Sequence, residues 1–387
     1  MNVVGYIVVN IFETFLRILP FPCKPGLIRI GNPDRNSFVF MTCNYHLTVE
    51  RVMRALRGAN AYLLVANSRG INVWCASTGG LLTNHDVVSI LKTSGIEELV
   101  DHRNVILPQL AATGVEAKVI RKKTGWKVIW GPVYAKDIPV FIKDKLRKTP
   151  TMREVAFPWN QRIEMAAAWA FPISVISALL MIPLWPEGVV PVILMTWGLS
   201  LLIFLSFPFY SPWLGSEGER TGIVFFDFGR GGFQLILLAA LLVGLVGHSI
   251  LVGTLSWGYV LRWGFIGAII ILIVSIDLMG STPTFKSRLH QDRLLSVFLD
   301  GRKCKGTGLC EDICPRNCYD MDRSRHMTTM PRPERCVQCG ACIVQCPFDA
   351  LCFTGAKGEG IPPDTVRQFK LNLSGKRVFK KKTEERR

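Results

Sequence analysis

Two long stretches of this chain have almost no charge. From residue 167 to 208 the single charged side chain is Glu187, and from 231 to 261 there is none. Runs of that kind exclude one large soluble core and point to membrane helices. Acidic residues are also scarce, 29 against 46 basic ones, which gives a net charge of +17. The basic residues stand beside the apolar runs and in the last residues. That distribution excludes a nucleic-acid groove and fits a positive-inside membrane pattern. Residues 1–20 lack a small-residue cleavage site, carry Glu13 and Arg17, and stop at Pro20-Phe21-Pro22. They do not read as a signal peptide, and residues 1–22 are expected to lie along the membrane interface as an amphipathic segment. His46, His85 and His102 are scattered without ligand spacing, so they read as surface or locally bonded side chains.

Four apolar spans are predicted at about 167–184, 188–208, 233–253 and 257–279. Each is near the roughly 20 residues a helix needs to cross a bilayer. A polar, basic approach, 149–166, precedes them, and the membrane region as a whole is 149–285. Connections around Glu187 and Thr254-Leu255-Ser256 are short and poor in charge, while the 210–232 connection carries Arg220 and Arg230. Lys143, Lys145, Arg147, Lys148, Arg153 and Arg162 flank one end, and Lys286, Arg288 and Arg293 the other. An even number of spans with basic flanks places both ends in the cytoplasm, as a multi-pass protein of the cytoplasmic membrane. Asp277, at the end of the last span, reads either as a functional acid or as a headgroup-level cap.

Residues 23–148 alternate short apolar runs with helical ones. Strands are expected at 38–41, 61–66, 105–107, 117–120 and 127–130, and helices at 47–56, 86–92 and 137–147. This alternation predicts an α/β sandwich with ligand contacts at the strand ends. Within it, Asn72-Val73-Trp74-Cys75-Ala76-Ser77-Thr78-Gly79-Gly80 joins a strand to a helix. A thiolate close to a helix N-terminus is stabilised by the helix dipole and is a better metal ligand. Cys75 is therefore the candidate ligand here. Taken alone, the same cysteine reads as a small buried hydrophobe and Trp74 as core.

Eight of the twelve cysteines fall between Cys304 and Cys346, which implies reduced thiols and a cytoplasmic setting. Cys336, Cys339, Cys342 and Cys346-Pro347 form a complete C-x-x-C-x-x-C-x-x-x-C-P run. Zinc sites use paired C-x-x-C instead. Three thiolates of such a run wrap one cubane and the fourth serves a second cluster. So Cys336, Cys339, Cys342 and Cys314 are assigned to one [4Fe–4S] cluster. Cys304, Cys310 and Cys346 are left for the other, because Thr307 stands where a cysteine belongs. That second cluster is either [3Fe–4S] or a [4Fe–4S] completed by Cys318. Residues 300–356 thus read as a small α+β two-cluster ferredoxin, followed by a basic tail, 357–387. Cys23 and Cys352 read as structural.

The stretch Asn72 to Ser77 resembles the cobalt-ligand motif N-[VI]-W-C-A-[AS]-G-K of the corrinoid protein of bacterial and archaeal mercury methylation. The motif's Gly-Lys is Thr78-Gly79 here. Thr42-Cys43-Asn44-Tyr45, Leu64-Val65, Arg69-Gly70-Ile71, Val105 to Leu110 and Gly131-Pro132-Val133 are similar to that family's corrinoid-binding domain. Ser275 to Pro283 resembles the end of its membrane domain, and the C-terminal third resembles its separate ferredoxin partner. The likeness runs from about residue 26 to about residue 355.

The resemblance implies an α/β corrinoid-binding domain, then a four-helix transmembrane domain, then a ferredoxin. Asn72, Val73, Trp74, Cys75 and Ala76 would bind a cobalamin-type corrinoid, with Cys75 as the lower axial cobalt ligand. It implies methyl transfer from methyl-cobalt to a soft acceptor such as Hg(II), with the iron–sulfur clusters reducing cobalt to Co(I). Implied partners are the lipid bilayer and a methyl-donor protein or methyl-folate system. The family's ferredoxin partner ends in a cysteine pair, whereas this sequence ends Lys380 to Arg387. Two other readings stay open: corrinoid methyl transfer to another acceptor, and a membrane-bound iron–sulfur electron carrier without corrinoid.

Overall fold

A computed structural model describes residues 3–17, 19–214, 233–253, 256–275, 295–355 and 358–372. Arg220, Arg230, Asp277, Lys286, Arg288, Arg293 and the tail beyond 372 lie outside the described residues. The chain divides into two compact units, Met1–Leu19 with Ala156–Phe285, and Pro20–Val155 with Lys286–Arg387.

The first unit is helical. It holds α1 (Val3–Phe15) and, later in the chain, Trp159–Met181, Val189–Leu205, Phe207–Leu214, Phe233–Leu251 and Trp257–Ser275. Four of these helices are long and apolar enough to cross a membrane, with the second counted from Pro186. The first begins earlier than its apolar run, because Arg162 ties the entering turn to the carbonyls of Phe157 and Leu205. Helix α1 packs beside it through Phe15 on Phe171, with ring centroids 5.2 Å apart, and through Arg17 to Glu164 at 3.2 Å. Gly267 lets Leu241 approach where a Cβ would collide, the close packing that small residues allow between apolar helices.

The second unit begins with a five-stranded sheet. Its strands are β1 (Gly26–Ile30), β2 (Phe38–Cys43), β3 (Ala61–Ala66), β4 (Asn104–Pro108) and β5 (Lys127–Gly131), in the order β1-β3-β2-β4-β5. β1 is the antiparallel edge, and the other pairings are parallel. Every residue of β3 is buried, as a central parallel strand covered on both faces requires. Alternate residues feed two cores. Met41, Leu64 and Leu107 face one with Trp74, while Phe40, Leu63 and Ile106 face the other. The helices around the sheet are α2 (His46–Ala55), α3 (Val73–Gly79), α4 (Asn84–Thr93), α5 (Ile96–Leu99), α6 (Ala117–Thr124), α7 (Ile138–Lys143) and α8 (Pro150–Arg153).

Two expectations are corrected. Residues 117–120, expected as a strand, are the start of α6: only Ile120 is fully buried, Arg121 to Lys123 complement the helix C-terminus, and Gly125 at φ 76° ends it. The β-branched pair Val119-Ile120 mimics a strand over four residues because so short a window carries no period. The segment expected as one helix over 137–147 is a 3-10 turn, Ala135–Asp137, followed by α7.

The same unit closes with a small α+β fold. Its sheet runs β10-β9-β6, from β6 (Ser296–Leu299), β9 (Leu351–Thr354) and β10 (Gly360–Ile361), beside a hairpin of β7 (Asp320–Asp322) and β8 (Met327–Thr329). Three short helices, Leu309–Ile313, Ala341–Gln345 and Pro363–Phe369, complete it.

Candidate functional site

In an open parallel sheet, ligands meet the carboxyl ends of the strands where the strand order reverses. Here the chain passes from β2 to β3 on one side and then to β4 on the other, so that point lies between β2 and β4. Asn44, just past β2, is buried and organises this edge. Its Oδ1 accepts from the N–H groups of Ser68 (2.8 Å) and Gly70 (3.0 Å) and from Ser68 Oγ, and its Nδ2 donates to the Cys23 carbonyl. Gly70 has φ 74° and lies so close to the Pro22 backbone that a Cβ would meet it at 2.5 Å. The loop between β3 and α3 is thereby fixed.

The Asn72 to Gly80 stretch is a helix in its own right rather than a loop into one. Asn72 is the N-cap, its Oδ1 accepting from Cys75 N–H at 3.0 Å, and Gly80 at φ 74° ends the helix. This places Cys75 in the first turn, half-buried, where backbone N–H groups favour a thiolate. Val73, Trp74 and Ala76 are buried in the sheet core. Trp74 is therefore a packing residue that holds the helix bearing Cys75.

The cysteines of the C-terminal fold separate into two sets. Burial pushes the Cys310 thiol up, and the neighbouring Cys304 and Cys346 sulfurs push the same way. The second set, Cys314, Cys336, Cys339 and Cys342, lines one cavity together with Cys318 and Tyr319. A hydrogen bond from Cys318 holds the Cys314 thiol down, while the contacts with Cys314 and Cys336 and then burial push Cys318 up. Cys318 is thus brought to the second set. Among the described residues, no three His, Cys, Asp or Glu side chains converge as they would on a single metal ion.

The two folds of this unit share a core: Ile313, Val337, Cys339 and Ala341 pack into the same cluster as Trp74, Ala111 and Ala112. Gln345, buried between Cys342 and Cys346, donates to the carbonyls of Ala112 (2.8 Å) and Val115 (2.6 Å) and accepts from Ala117 N–H. Lys148, almost fully buried, donates to Gln109 Oε1 and the Asp312 carbonyl and pairs with the Asp312 carboxylate at 3.2 Å. Burial drives its pKa down to about 8 against the pull of Asp312. Lys370 pairs with Glu116 at 2.7 Å, and Asn372 Nδ2 donates to the Thr78 carbonyl at the end of α3. The joint therefore lies on the segments following β3, β4 and β5, beside α3.

Sequence reasoning missed Asn44, Gln109, Tyr319 and Gln345 as organising residues. Asn44 and Gln109 stood in plain sight as polar residues closing apolar strands. Gln345 and Tyr319 carried no such signal. His46, His85 and His102 are placed apart: His102 meets the Ser37 carbonyl at 3.0 Å, and His85 is largely exposed.

What the fold and these sets define is an α/β domain with a ligand edge, joined to a two-site cysteine domain. Comparison with known proteins makes this more specific. Residues 18–142 match the family model described as CO dehydrogenase/acetyl-CoA synthase delta subunit, and residues 303–350 match that of the 4Fe-4S dicluster domain. The chain is 36% identical over 126 residues to the acetyl-CoA decarbonylase/synthase complex subunit gamma of Methanopyrus kandleri, covering 32% of this chain and 27% of that protein. The same subunit of Archaeoglobus fulgidus is 38% identical over 116 residues, covering 30% of this chain and 24% of that one. That of Methanothermobacter thermautotrophicus is 37% identical over 129 residues, covering 33% and 28%. The chain thus spans about a quarter of the length of these relatives. Its α/β domain is thus similar to segments of the delta- and gamma-subunit proteins, and its C-terminal fold is similar to a 4Fe–4S dicluster domain.

Proposed function

We propose that this protein is a membrane-anchored, corrinoid-dependent methyltransferase with its own electron-delivery module. The observation that carries the reading is the shared core of the corrinoid-binding and dicluster domains, beside the helix that bears Cys75. Tethering within one unit raises the effective concentration of one redox partner for the other. The half-buried thiol of Cys75 would hold the cobalt of a corrinoid, with Asn72 fixing its turn and Val73, Trp74 and Ala76 packing behind it. A bound corrinoid would supply the methyl-carrying chemistry, and the Cys75 thiolate would favour release of the group to a soft acceptor. Cys314, Cys336, Cys339 and Cys342 would hold a [4Fe–4S] cluster, and Cys304, Cys310 and Cys346 would supply three thiolates to a second iron–sulfur cluster. Hg(II) is the acceptor implied by the likeness of Asn72 to Ser77 to the mercury-methylation motif, with a methyl-donor protein or methyl-folate system upstream.

The test is to purify the chain anaerobically and supply a methyl donor, a reductant and Hg(II). A cobalamin absorption spectrum with formation of methylmercury is expected. A chain with iron–sulfur absorption and no corrinoid sinks the proposal in favour of an electron carrier. Corrinoid with no methylmercury sinks the mercury assignment alone. A carbon acceptor is the second reading, favoured by Thr78-Gly79 in place of Gly-Lys and by the gamma subunits as relatives. Both domains of the second unit are assigned to the cytoplasm. Protease added outside sealed right-side-out vesicles should leave them intact, and cleavage of either contradicts the assignment.

A further inference from the structure

We propose that Cys318 and Tyr319 set the reduction potential of the cluster held by Cys314, Cys336, Cys339 and Cys342, as buried hydrogen-bond donors to its ligand sulfurs. This rests on the reading that those four cysteines hold a cluster. Four thiolates saturate a cubane, so a fifth sulfur at the same cavity has no iron corner left to bind. Cys318 is nonetheless only 1% exposed, with its backbone N–H donating to Cys314 Sγ at 3.3 Å. Its thiol faces Cys314 and Cys336. Tyr319, also 1% exposed, donates its hydroxyl to Cys342 Sγ at 3.2 Å. Two adjacent residues therefore reach three of the four ligand sulfurs.

A cluster gains one negative charge when it takes an electron. Burial disfavours that charge, and each donor to a ligand sulfur favours it, so hydrogen bonds raise the potential that burial lowers. Tyr319 shows why the contact matters: a phenol buried without a partner is destabilising, and the sulfur is its acceptor. Cys318 and Tyr319 pack in one core with Cys314 and Cys342, while Cys339 packs with Trp74, so this is the cluster site that adjoins the α/β domain.

The test is an EPR-monitored redox titration, with dithionite as reductant, of the full chain in detergent. The wild type is compared with Cys318→Ala, Cys318→Ser and Tyr319→Phe. Iron and sulfide content should be unchanged in all of them. In Cys318→Ala and Tyr319→Phe the ratio of reduced to oxidised cluster at the wild-type midpoint should fall about tenfold, which is a midpoint lower by about 59 mV for one electron. Cys318→Ser keeps a donor and should return most of the shift. Unchanged midpoints at full iron content would reduce both residues to packing. Loss of iron in Cys318→Ala would make Cys318 a ligand. A wild-type chain purified without iron or sulfide would overturn the cluster reading itself.

Discussion

The backbone N–H of Cys75 donates to Asn72 Oδ1 at 3.0 Å, so the cap and the candidate cobalt ligand are parts of one turn. The thiol cannot keep its place if the cap frays. Asn72→Ala should cost about 1 kcal/mol of stability and broaden the cobalt spectrum of the loaded protein, whereas Asn72→Ser should preserve both. Cys75→Ala should leave the fold intact but remove the thiolate signature of the bound cobalt and the methyl transfer. An unchanged spectrum in Cys75→Ala refutes the ligand assignment.

Gln345 uses its whole amide at the joint, two bonds given and one accepted. Gln345→Leu keeps the volume and strands the carbonyls of Ala112 and Val115. A loss of roughly 1–3 kcal/mol is expected, with faster limited proteolysis between the α/β and dicluster folds. Electron transfer from dithionite-reduced clusters to bound cobalt, followed by stopped flow, should slow in the same variant. Equal rates would show that the joint does not govern delivery.

Lys148 gives the joint a pH dependence. Its folded pKa is lowered to about 8 from 10.5, chiefly by burial. Between those values the unfolded chain binds the extra proton and the folded chain does not, so this residue makes stability rise with pH across that window. Below about pH 8 the ammonium is buried in both the Gln109 and Asp312 contacts, and its desolvation is borne in full. The denaturant midpoint of wild type should rise relative to that of Lys148→Met between about pH 8 and 10.5, with the variant flatter. Parallel curves would mean that Lys148 titrates at its ordinary value.

The parts legible in the sequence were those written along one dimension. Cysteine spacing announced the dicluster-like domain, and run length announced four apolar helices, the first of which starts ahead of its run at Trp159. Asn72 and Gly80 are a readable cap pair, yet the short helix between them reads as a connection because seven residues show little periodicity. Strand β1 was missed because an antiparallel edge strand is defined by its partner, Leu27 opposite Leu64, and not by its own five residues. The joint was illegible for the same reason: Gln345 and Ala112 are 233 residues apart. Nothing local to either residue specifies the other.

The placement of Cys318 also decides what is expected at Thr307. Cys318 lies four residues past Cys314, and its N–H closes back on Cys314 Sγ. The intervening Arg316 is tied to the Val155 carbonyl at 3.0 Å, which holds that loop against the α/β fold. With Cys318 at the second set, Cys304, Cys310 and Cys346 supply three thiolates, and a threonine hydroxyl is a poor iron ligand at neutral pH. The site should therefore hold a [3Fe–4S] cluster, or lose its fourth iron on mild oxidation. Gently air-oxidised protein should give a [3Fe–4S]⁺ EPR signal of about one spin per chain. Thr307→Cys should abolish that signal and raise the iron count by about one per chain, because the restored thiolate retains the fourth iron. Two intact cubanes in the wild type, with one lost in Cys318→Ser, would instead mean that the loop moves and Cys318 crosses to the first site.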